Sequence, residues 1–223
     1  MKKLYTLLAL TITFSMNGQM DDNSATNNSA GTYAVAMGYS TIASGTYSAA
    51  MGYDTTASGI NSTAIGHFTT ASGDYSTAIG ENTTASGETS TAMGYQSTAS
   101  GIASTAMGKS TASGTYSTAM GYDTVASGIG STAMGRSIAS DFASTVIGQY
   151  NSSGSSATSA EFFSTSAPAF VIGNGTASNA KSDAFKVMFN GDTTVSNDLT
   201  VSGDVVISSD ARLKSNIVSL GST

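Results

Sequence analysis

Glycine recurs every seven residues through more than half of this chain, and few folds can accommodate such a lattice. Gly31, Gly38, Gly45, Gly52, Gly59, Gly66, Gly73, Gly80, Gly87, Gly94, Gly101 and Gly108 follow without a slip. One residue is then missing, and the register resumes at Gly114, Gly121, Gly128 and Gly135. After a second missing residue Asp141 stands at a glycine position, and Gly148 ends the series. Alternate glycines differ in context: one closes Ala-Met-Gly or Ala-Ile-Gly, the other Ala-Ser-Gly. The unit is therefore fourteen residues, G-x-x-S-T-A-(M/I)-G-x-x-T-T-A-S. A short fixed period of this kind marks a stack of like units, each contacting only its neighbours.

Each half-unit holds one short extended run, such as Ser62-Thr63-Ala64-Ile65 or Thr69-Thr70-Ala71-Ser72, followed by glycine. Thr and Ile favour strands, and glycine takes tight or positive-φ corners at little steric cost. Gly38, Gly52, Gly66, Gly80, Gly94, Gly108, Gly121, Gly135 and Gly148 are the expected structural turns. Two strands and two turns make one flat coil. Coils stacked in parallel at roughly 4.8 Å give a column about 40 Å tall. The two missing residues, before Gly114 and before Asp141, should appear as tightened loops.

Strand parity sorts the side chains. In the run Thr69–Ser72 only Ala71 is apolar, so it faces the coil interior together with Ala64, and Thr63 and Ile65 point outward. The interior is then a thin alanine seam. Met37, Met51, Ile65, Ile79, Met93, Met107, Met120, Met134 and Ile147 form an outer stripe. So long an apolar ladder calls for cover, and further copies of the chain are the expected cover, with the stripe as a trimer interface. The alternative places Met and Ile inside and alanine outside, which gives a self-sufficient monomer.

Composition agrees with a repeat and not with an ordinary globule. Of 223 residues 39% are hydrophobic, but much of this is alanine, and tryptophan and cysteine are absent. The net charge is −6, and the few Lys and Arg show no clustering along the chain. Nucleic-acid binding, which needs a basic patch, is therefore not expected. Lys2 and Lys3, the apolar run Leu4–Phe14 and the small-residue zone at Asn17-Gly18 form an export signal, too short to span a bilayer. The expected location is extracellular or on the cell surface.

The expected organisation is a signal peptide at 1–19, a polar lead-in at 20–30, the repeat array at 31–148 and a collar or linker at 149–168. A β stem is expected at 169–209. There Asp192, Asp198, Asp204 and Asp210 recur every six residues, as do Val195, Val201, Ile207 and Leu213. That spacing suits a β-prism, not a helix. Residues 210–223 begin a further segment.

Asn61-Ser62-Thr63-Ala64-Ile65-Gly66 and Ser76-Thr77-Ala78-Ile79-Gly80 resemble the head repeat of trimeric autotransporter adhesins of the YadA type. The resemblance implies an all-β fold, a left-handed parallel β-roll with three chains around an axis. It also implies an adhesive head that meets extracellular matrix, host or abiotic surfaces. Ser208-Ser209-Asp210-Ala211-Arg212-Leu213-Lys214 is similar to the opening of the intramolecular chaperone domain of phage tail spikes. That likeness implies self-cleavage between Ser209 and Asp210, with Ser209 as candidate nucleophile and Lys214 as a possible helper.

Other chemistry is sparse. The single histidine, His67, follows Gly66 at a loop position, and Asp54, Asp74, Glu81, Glu88 and Asp123 are scattered over turns. Neither a metal nor a small-molecule cofactor is expected. Gly173-Asn174-Gly175 lacks the helix and lysine of a phosphate loop and reads as a tight turn closing the head. Tyr33, Tyr39, Tyr47, Tyr53, Tyr75, Tyr95, Tyr116 and Tyr122 follow glycines, either as exposed contact residues or as plugs between coils. The expected function is non-enzymatic: a secreted, trimeric, adhesin-like or fibre-like protein attaching through Thr, Ser and Tyr. One alternative is ice or surface binding, because Thr63, Thr77, Thr91, Thr105, Thr118 and Thr132 form one ladder and Thr56, Thr70, Thr84, Thr98 and Thr111 another. Another is a tail-fibre scaffold with a self-cleaving end.

Overall fold

The computed structural model describes residues 28–202, and the described chain is all β, with no helix. The export signal, most of the lead-in, and Ser209, Asp210 and Lys214 lie outside the described residues.

The fourteen-residue unit folds into one coil with a long and a short strand, as in Thr63–His67 and Thr70–Ala71. Pairing between coils is parallel and residue-for-residue: Thr63 meets Thr77, Ala64 meets Ala78, Ile65 meets Ile79 and Gly66 meets Gly80. Thr70 and Ala71 meet Thr84 and Ala85 in the same way. About eight such coils make a parallel β-solenoid.

The interior follows the parity of the alanines. Ala64, Ala71, Ala78 and Ala85 are 0% exposed, and their counterparts continue the seam through the column. From the second coil on, a Ser or Thr two residues before the buried alanine of each strand is also buried, as at Ser62, Thr69, Ser76, Thr83 and Ser90. In the regular coils these hydroxyls find no partner. Around the shortened corners some of them do, although Ser104, Ser117 and Ser131 do not. Ser97 Oγ donates to the carbonyl of Met93 or Gly108 (both 2.7 Å), and Ser110 Oγ lies 2.9 Å from the carbonyl of Ala119. The coil is too thin for larger side chains, so alanine and small hydroxylated residues fill it.

The corners differ from the sequence expectation. Gly66 lies inside the long strand, at φ +133°, and the Ala-Ser-Gly glycines do not have positive φ at all. The left-handed turn position falls two residues after each glycine. It is occupied by Tyr47, Asp54, Asn61, Phe68, Tyr75 and Asn82, with φ between 49° and 59°. Even Thr89 adopts it, at φ 56°. Such a conformation costs a non-glycine residue about 1–2 kcal/mol. Here the twist turns the amide along the column axis: Asn61 N–H donates to Thr46 O (2.8 Å) and Phe68 N–H to Tyr53 O (2.9 Å). The hydrogen-bond ladder thus runs through the corners as well as the strands.

Glycine is required instead by close approach. A Cβ on Gly59 would lie 2.0 Å from the carbonyl oxygen of Gly73 in the next coil, and one on Gly66 would lie 1.9 Å from that of Gly80. Both missing residues do tighten corners. Gly108-Lys109-Ser110 lacks the left-handed residue, one strand runs unbroken over Thr105–Ala112, and Ser110 pairs with Thr124, leaving Asp123 out of register.

The roll ends later than the sequence indicated. Pro168–Asn174 is not the first strand of a stem. It is a further rung, with Phe170, Val171, Ile172 and Gly173 opposite Thr145, Val146, Ile147 and Gly148. Asp183–Met188 and Thr193–Val195 then fold back antiparallel. Val195 pairs with Phe185, while Leu199 and Val201 are exposed in the single chain; the rest of the six-residue series lies outside the described residues. The collar between the rungs is pinned by carboxylates. Asp141 is fully buried and its Oδ1 accepts the amides of Thr158 (2.5 Å) and Ser159 (2.7 Å). Asp183 accepts those of Ser152 (2.8 Å) and Ser153 (2.9 Å to Oδ2). Asp141→Ala strands two amides, so a stability loss of about 2 kcal/mol is expected. Hydrogen exchange should then quicken at Thr158 and Ser159 while the amides of coils near Thr63 keep their protection. Uniform loss along the column would refute a local pin.

Candidate functional site

The outward residues of each coil stack into ladders, and these are the chemistry the surface offers. On the long-strand face Met37, Met51, Ile65, Ile79, Met93, Met107, Met120, Met134 and Ile147 are paired rung to rung. Every one is partly exposed in the single chain, and Ile79 is 37% exposed. Ile172, on the final rung, extends the stripe beyond the residues the sequence indicated. The tripeptide Val-Ile-Gly, shared by residues 146–148 and 171–173, was the signal for it. Thr63, Thr77, Thr91, Thr105, Thr118, Thr132 and Thr145 run alongside as a parallel row. The short strands present a second row, Thr56, Thr70, Thr84, Thr98 and Thr111.

The corners carry the aromatics, which are both exposed and stacked. Tyr33 and Tyr47 lie face to face at 5.0 Å, and Tyr39 and Tyr53 at 5.1 Å. Tyr53 continues the series to His67 (5.1 Å) and meets Phe68 edge-on at 5.7 Å. Offset contacts of this kind add about 0.5–1.5 kcal/mol per pair. His67 Nδ1 is 3.8 Å from a carboxylate oxygen of Glu81, with both side chains half exposed.

Farther along the column the same corner becomes charged, and the cations that look scattered in sequence converge. Lys109 Nζ is 2.9 Å from Asp123 Oδ1, and Arg136 Nη2 is 3.1 Å from Asp123 Oδ2. The hydrogen bond from Lys109 holds the Asp123 carboxyl below its ordinary range, and the same bond raises the Lys109 ammonium. The Arg136 guanidinium lies between the rings of Tyr122 (5.1 Å) and Tyr150 (4.8 Å), a cation–π arrangement on both faces. Below it opens a cleft of about 420 Å³, walled by Asp123, Arg136, Ile138, Tyr150 and Asn151. Ser178 and Lys181 line it as well. Asn151 is committed to the fold: its carboxamide bonds the Ile138 amide (2.9 Å) and carbonyl (2.8 Å).

Among the described residues no cluster of three His, Cys, Asp or Glu side chains could hold a metal ion. The described surface offers repeated apolar, hydroxyl and aromatic rows and one cationic cleft, all suited to contact.

No curated protein matches the chain. Four spans, residues 29–55, 57–83, 85–111 and 112–137, match the family of the YadA head domain repeat. Each span holds two coils of the column and the match ends at residue 137, before the collar. Over residues 29–137 the column is therefore similar to the YadA head domain repeat.

Proposed function

We propose that the chain is an exported, non-enzymatic attachment protein that works as a homotrimer, its columns packed along the long-strand face. The observation that carries this reading is the Met/Ile stripe: one apolar residue per rung, in register and left partly exposed by the single chain. A ladder of this length on an isolated soluble protein is an association surface. The similarity to the YadA head domain repeat supports the trimeric state and a surface-binding role. The short-strand threonine row and the stacked tyrosines stay outward in that packing and form the contact surface. Tyrosine gives large contact area with little rotamer entropy to lose, and three copies offset weak single contacts by avidity.

The test is the absolute mass of the full chain by light scattering after gel filtration. A stable three-chain species is the expected result. A folded monomer that keeps its mass over a hundredfold range of concentration would overturn the reading.

A further inference from the structure

Among the described residues the Lys and Arg are Lys109, Arg136, Lys181 and Lys186, and the first three gather at one end of the column. Arg136 and Lys181 line the cleft against a single acid, Asp123. The cleft therefore carries about one net positive charge inside a chain whose net charge is −6. Its sign opposes that of the molecule, which marks a place for an anion.

The geometry narrows the anion. Arg136 is fixed between two tyrosine rings, so its planar fork is held in one orientation before any ligand arrives. Asp123 takes one of its donors, and the guanidinium has five. Lys181 is exposed and forms no ion pair among the described residues. One net charge and a fork of fixed plane match a carboxylate better than a dianion. The remaining walls are the aliphatic Ile138, the Tyr150 ring and the Ser178 hydroxyl, and the volume of about 420 Å³ suits one or two sugar rings. We propose that this cleft binds a carboxylated sugar, its carboxylate between Arg136 and Lys181 and its ring against Ile138 and Tyr150.

The lining named here comes from a single chain, and the titration is read beside the mass measurement. Binding is read in a titration and assembly in a mass measurement, so the failure of one is distinguishable from the failure of the other.

The probes are glucuronate, glucose and acetate, titrated into the full chain at low salt by NMR. Glucuronate is expected to saturate with a dissociation constant on the order of 1 mM, and glucose and acetate to bind at least about tenfold more weakly. Lys181→Ala, which breaks no contact within the fold, should weaken glucuronate about tenfold. Asp123→Asn removes the internal competitor for Arg136 and should strengthen it about threefold. No saturable glucuronate binding, equal binding of acetate or glucose, or indifference to Lys181→Ala each overturns the proposal.

Discussion

Gly66→Ala is expected to disrupt the column severely, as are the equivalent changes at Gly52 and Gly80. Two independent effects meet at this residue. Its φ of +133° is one that residues with a side chain rarely adopt, and a Cβ there would lie 1.9 Å from the carbonyl oxygen of Gly80. That atom belongs to backbone held by the next rung, so relief requires the coils to part and their hydrogen bonds to break. A loss of about 4 kcal/mol or more is expected, at the extreme of single-residue effects. Gly130→Ala is the control. Gly130 has φ +67°, its nearest atom to an added Cβ is 3.8 Å away, and Ala143 occupies the equivalent turn position one coil later at φ 53°. It should cost about 1 kcal/mol. Thermal unfolding followed by circular dichroism separates the two, and a Gly66→Ala protein as stable as Gly130→Ala would show that coil spacing is not set by glycine contact.

The second large effect is on assembly. Ile79→Asp with Met93→Asp places two adjacent carboxylates in the middle of the stripe, on rungs that are directly paired. If each stripe residue contributes about 1 kcal/mol on burial, the ladder contributes on the order of 10 kcal/mol per chain. Two buried carboxylates without partners remove much of that, because each costs several kcal/mol to desolvate. The double variant should run at one third of the parent mass. Both side chains already face outward, so the strand signature of the single chain should remain. A variant that keeps the parent mass would move the contact to another face.

The legible parts of this fold were those that repeat. The lattice of Gly31 to Gly148 identified the coil, and the lone apolar residue of each short strand, such as Ala71, settled which face is inside. The same parity places Ser62 and Thr69 inside, although polar residues attract little notice as core candidates. What stayed hidden was whatever depends on backbone rather than side-chain identity. The left-handed position holds Tyr, Asp, Asn, Phe, Thr, Ala, Ser, Gln or Gly, so no residue type marks it, and glycine two places earlier drew the assignment instead. The final rung was masked by the collar between Gly148 and Pro168, which breaks the spacing that revealed the others. Lys109, Arg136 and Lys181 are far apart along the chain, and stacking of two shortened corners with the loop at Lys181 is what unites them.

Because Thr63–His67 pairs with the coil before it and the coil after it and with nothing else, neither end of the column depends on how many coils lie between. Excision or duplication of one whole unit at the level of the gene leaves the alanine seam, the glycine contacts and the stripe continuous across the join. Height of the column is thereby separable from everything else the protein must preserve. It changes in equal steps of roughly 4.8 Å, while the cleft and the collar stay unchanged at one end.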